Sequence, residues 1–120
     1  MCIRDRAESY HGPSVIIAYA PCINHGIKGG MSIAQTEEKK AVAAGYWHLF
    51  RFDPRLVLDG KNGFQLDSKA PTASYNDFIM GEVRYNVLAR SNPDRAKELF
   101  EQAEKYAQDK YAHLVELAGK

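Results

Sequence analysis

The chain has 120 residues, enough for one domain or part of one, and its 45% hydrophobic and 26% charged content excludes disorder over most of its length. A formal net charge of +1 excludes an electrostatic nucleic-acid binder, which needs a basic stripe or a clear surplus of Lys and Arg. No apolar run approaches the roughly 18–20 residues that cross a bilayer, and the charged opening MCIRDR is no secretory leader, so neither a membrane span nor export is expected.

Residues 1–6 fit nothing downstream and read as a non-native artefact, Cys2 included; residues 7–120 read as one incomplete domain. Residues 7–10 look like the last turn of a helix, stopped by Gly12 and Pro13. Residues 14–19 (SVIIAY) form an unbroken, β-branched apolar run, the pattern of a parallel strand buried on both faces. No second run in the chain matches it, so its neighbouring strands are expected on other polypeptide. Residues 20–26 (APCINHG) leave the strand at the edge where open α/β sheets bind ligands. A loop through Gly29 and Gly30 follows.

Ser32 with Gln35 predicts a capping box and a helix to about Ala44, with Glu37, Glu38, Lys39 and Lys40 on its solvated side. Residues 46–52 predict a second strand, ended by a turn at Asp53 and Pro54, with Trp47, Phe50 and Phe52 in the core. Residues 56–58 and 64–66, separated by DGKNG, suggest a short hairpin or an ordered loop. Ser74 caps a helix running to about Ala89. Asn92 followed by Pro93 opens the last and longest helix, ended by Gly119. The fold class is therefore α/β: parallel strand, loop, helix, second strand, then two C-terminal helices.

The only concentrated chemistry is at residues 21–26. Cys22 has three readings: a buried structural cysteine, a nucleophile paired with His25 three residues on, or a metal or cluster ligand. Two cysteines are too few for a disulfide framework, and too few to hold a cluster or a structural zinc alone, so the third reading needs thiolates from outside the chain. Asn24 and His25 are either donors toward cluster sulfurs or ordinary loop polarity. His11, His48 and His113 are scattered without ligand spacing and read as surface or packing residues.

Five stretches carry a resemblance to a known family: residues 12–26 (GPSVIIAYAPCINHG), 44–47 (AGYW), 50–54 (FRFDP), 60–69 (GKNGFQLDSK) and 78–85 (FIMGEVRY). Over about residues 7–120 the chain resembles the C-terminal end of the thiamine-diphosphate-binding domain of pyruvate:ferredoxin (flavodoxin) oxidoreductases. Gly63 departs from the pattern, standing where Pro is common, with no functional consequence. The resemblance implies a cytoplasmic enzyme, a homodimer when intact. It would oxidatively decarboxylate pyruvate with coenzyme A to acetyl-CoA and CO2 and pass electrons through iron–sulfur clusters to ferredoxin or flavodoxin. It implies that Cys22 is the fourth ligand of a 4Fe-4S cluster whose other three cysteines lie upstream, as do the sites for thiamine diphosphate and Mg2+. No catalytic residue falls in this chain, which alone should be inactive and poorly soluble. A related enzyme for another 2-oxoacid, or a stand-alone helical module with a structural cysteine, are the competing expectations.

Overall fold

The computed structural model describes residues 2–119. Met1, part of the stretch read as an artefact, lies outside them. Residues Ile3–Glu8 form helix α1, so the helical turn expected at residues 7–10 lies a few residues earlier and takes in most of the MCIRDR stretch. Arg55 ties this helix end down: its guanidinium donates to the Ser9 carbonyl at 3.1 Å and stacks 5.7 Å from the Tyr10 ring.

The expected parallel strand is not formed. Residues 13–20 carry no strand pairing, and Val15 and Ile17 are 85% and 71% exposed. A strand is defined by hydrogen bonds to a neighbour, and the described residues offer this segment none. Its apolar side chains remain, without the sheet that would cover them.

A 3₁₀ turn, Ile23–His25, follows Cys22, and a second, Met31–Ile33, leads into α2, Ala34–Ala43. Ser32 does not cap α2; it lies inside the second turn, and Ile33 takes the cap position without a side-chain bond. Glu37 is also unlike its expected solvated self. It is buried, with its carboxylate accepting from Lys40 Nζ at 2.9 Å.

The chain closes α2 with Tyr46 and Trp47, whose N–H groups both donate to the Ala41 carbonyl, at 2.9 and 3.2 Å. Those bonds keep both residues out of the second strand. Strand β1 is therefore only Phe50–Phe52, and it pairs antiparallel with β2, Phe64–Leu66, in the register Phe50–Leu66, Arg51–Gln65 and Phe52–Phe64. The hairpin partner of residues 64–66 is thus 50–52. Residues 56–58 belong instead to helix α3, Pro54–Leu58. Asp53 starts that helix by accepting from Arg55 N–H at 3.0 Å, with Pro54 at the first helical position. Phe50 and Phe52, expected in the core, are 46% and 65% exposed.

Helices α4 (Tyr75–Met80) and α5 (Val83–Ser91) replace the single helix expected from Ser74 to Ala89. Ser74 does cap α4, accepting from Asp77 N–H at 3.2 Å. Helix α6, Pro93–Ala118, matches its expectation at both ends: the Asn92 side chain accepts from Arg95 N–H at 3.2 Å, and Gly119 follows the last turn. The core lies where α2, α4 and α6 meet, through Ala41, Ala44, Tyr75, Phe78, Ile79, Ala96 and Phe100. Burying each of the larger apolar side chains there contributes about 1.5–3 kcal/mol. Tyr19, Tyr46 and Trp47 pack against this cluster and bring the Cys22 segment down onto it.

Candidate functional site around Cys22

Cys22 takes the cap position of the turn Ile23–His25, with extended backbone, an exposed side chain and no disulfide. Among the described residues nothing covers the side chain, which departs from the buried structural reading of this cysteine. Its main-chain N–H donates to His25 Nδ1 at 3.3 Å, and His25 N–H returns a bond to the Cys22 carbonyl at 2.9 Å. His25 thus reaches back to the Cys22 backbone. With Nδ1 accepting from an N–H, that nitrogen is not positioned as a base toward the thiol.

Gly26 ends the turn at φ 66°, a left-handed conformation that suits glycine. A Cβ there would stand 2.7 Å from Val83 Cβ. The close approach exists because residues 26–28 are zipped to residues 81–83. Val83 N–H donates to the Gly26 carbonyl at 2.8 Å, Lys28 N–H donates to the Gly81 carbonyl at 3.2 Å, and Ile27 and Glu82 form an antiparallel bridge. The interruption between α4 and α5 serves this pairing, with Glu82 at φ −103°, ψ 129°.

Glu82 was not singled out by sequence, yet it is the centre of the polar structure behind Cys22. Its residue is 1% exposed. Oε1 accepts from the Tyr19 hydroxyl at 3.3 Å and lies 3.9 Å from His25 Nδ1, while Oε2 accepts from Arg84 Nε at 2.5 Å. Arg84 also donates to the Tyr46 hydroxyl at 3.0 Å and lies 4.7 Å over the Tyr85 ring. Tyr46 and Tyr85 share a hydrogen bond at 3.0 Å. Burial, then the Glu82 charge, hold the Tyr19 phenol well above its ordinary range, so it stays protonated and donates. Burial and the bond to Tyr46 do the same for Tyr85. The one signal available in the sequence was the segment 78–85, which carried the resemblance without a role attached to it.

The remaining histidines stay apart from this site. His48 is buried against Tyr111, rings 5.7 Å apart, with Nε2 lacking a partner; His113 lies 4.0 Å from Glu116 on exposed α6. Among the described residues no group of three or more His, Cys, Asp or Glu could hold a metal ion. As a donor set, the site supplies one soft, accessible sulfur: enough for one bond to a cluster iron and not for a cluster. No helix of the described residues is long and apolar enough to cross a membrane.

No family model matches the chain. Similar proteins are nevertheless found over nearly its whole length. It is 54% identical over 112 residues to the pyruvate:ferredoxin oxidoreductase of Moorella thermoacetica, covering 93% of this chain and 9% of that protein. It is 50% identical over 113 residues to the pyruvate-flavodoxin oxidoreductase of Klebsiella pneumoniae, covering 94% of this chain and 10% of that protein. A third relative is the mitochondrial pyruvate dehydrogenase [NADP(+)] of Euglena gracilis, 50% identical over 90 residues, 75% of this chain and 5% of that protein. The chain thus spans about a tenth or less of the length of these curated relatives.

Proposed function

We propose, on the premise that the chain is homologous to one segment of the pyruvate:ferredoxin and pyruvate-flavodoxin oxidoreductases, that it works as the ligand-bearing end of such an enzyme, with Cys22 binding one iron of a 4Fe-4S cluster. The observation that carries this reading is the exposed, unpaired Cys22 on a turn fixed from both sides. A bound cluster supplies one-electron transfer. The chain's own residues do the holding. Pro21 and Gly26 shape the turn, the Cys22 thiolate bonds the metal, and residues 81–83 anchor the turn to the helical core.

The intact enzyme would oxidise pyruvate with coenzyme A to acetyl-CoA and CO2, using thiamine diphosphate and Mg2+ bound by residues outside this chain. Three further cysteines would complete the cluster from the same outside polypeptide. Ferredoxin or flavodoxin would take the electrons, in a cytoplasmic homodimer. Relatives named for ferredoxin, flavodoxin and NADP(+) share this segment, which fits an acceptor chosen elsewhere in the molecule. The substrate pocket likewise lies outside the chain, so another 2-oxoacid is compatible with these residues. A stand-alone helical module is disfavoured, because it would have to cover residues 15–17 with its own chain and does not.

The test is Cys22→Ala in the full-length oxidoreductase. Iron should fall by about four atoms per subunit, the content of one cluster, and pyruvate-driven acceptor reduction should be lost. Full iron with full activity would refute the ligand role.

A further inference from the structure

The break between α4 and α5 costs the helix its continuity and buries a carboxylate at the break, which is expensive unless that carboxylate is well partnered. Arg84 alone could balance the charge. Glu82 does more than pair with it. Oε2 faces Arg84, and Oε1 faces the other way, toward Tyr19 and His25. Tyr19, which donates to that oxygen, lies three residues before Cys22, and His25, 3.9 Å from it, lies three after. The backbone on either side of Glu82 holds the same turn at Gly26 and Lys28.

We infer that Glu82 is a positioning residue for Cys22, fixing residues 19–26 so that the thiol is presented in one place before metal arrives. The inference rests on the reading of Cys22 as a cluster ligand. Its physical content is preorganisation: a ligand held by outer hydrogen bonds loses less freedom on binding and releases its metal more slowly. Glu82 touches neither the thiol nor the metal. It acts through Tyr19 and the main chain. Glu82→Gln keeps the shape but removes the charge and leaves one acceptor oxygen where Arg84 and Tyr19 now have two.

The test uses the full-length oxidoreductase and follows each cluster by the low-temperature EPR signal of its reduced form, together with iron release to a chelator. The cluster in question is the one absent from Cys22→Ala. In Glu82→Gln its release should quicken on the order of 10-fold and its g-values should shift, with the other clusters unchanged. Tyr19→Phe, which removes one bond and no charge, should move both readouts in the same direction by less, and it decides the matter if Glu82→Gln does not fold. Leu114→Ala serves as control, loosening α6 without touching the turn. Wild-type release and g-values in Tyr19→Phe and Glu82→Gln would overturn the inference, and so would an equal effect from Leu114→Ala. A Cys22→Ala enzyme that keeps every cluster would instead sink the ligand reading itself.

Discussion

Gly26 shows how much of the site is set by single positions. Its φ of 66° and the 2.7 Å approach of any Cβ to Val83 leave no room for a side chain. Gly26→Ala should cost about 1–3 kcal/mol for the backbone conformation alone, read as a drop in the urea midpoint, and should loosen the Cys22 turn as well. His48 offers a different test. Burial, and after it the charge of Lys110, lowers its pKa below the ordinary value. The unfolded imidazole therefore takes up a proton near pH 6.5 while the folded one does not. Its share of stability is complete above about pH 6.5 and is lost as pH falls below that. His48→Phe should flatten this part of a stability curve measured from pH 8 to pH 5.5; an unchanged slope would clear His48 of the effect. Cys22 stands out in sequence as the candidate chemical residue, a lone cysteine with Pro before it and Gly after it. Glu82 does not, because its helical spacing matches that of an ordinary surface glutamate, and only tertiary pairing with residues 26–28 pulls it inside.

Among the elements, the two Asx-Pro sequences are instructive. Asn92 followed by Pro93 reads as a helix start and is one; Asp53 followed by Pro54 reads as a turn and is also a helix start. The difference lies downstream. Twenty-six residues with a repeating apolar face announce α6, whereas the five residues of α3 are too few to show a period. Asn92→Ala should destabilise α6 by about 1 kcal/mol, visible as weaker hydrogen-exchange protection in its first turns with its last turns unaffected. The second strand came out shorter than its alternation suggested for a similar reason of competition. Tyr46 and Trp47 have strand-like side chains, but their N–H groups are already committed to the end of α2.

At the scale of the whole molecule, the described residues are too extended and too exposed for a self-contained unit. The radius of gyration is 17.1 Å, against about 14 Å for a compact domain of this length. The accessible surface is 8484 Å², against about 6,500 Å² for a folded monomer of this mass, an excess comparable to a large protein interface. The uncovered residues 15–17 and the outer faces of Phe50 and Phe52 contribute to it. The apolar run at 14–19 reads in sequence as a doubly buried strand whose neighbours lie on other polypeptide, and among the described residues it pairs with none. The isolated chain should therefore aggregate. The double variant Val15→Lys and Ile17→Lys should raise its soluble yield in a sedimentation assay while crippling assembly of the full-length enzyme; equal solubility of both forms would argue that this segment is not the exposed surface responsible.

The most direct measurement is a structure of the full-length enzyme with its clusters in place. Cys22 Sγ should be bonded to an iron, with three cysteines from other parts of the polypeptide on the remaining irons of that cluster. A cluster fully ligated by four other residues, with the Cys22 sulfur away from any metal, would contradict the account.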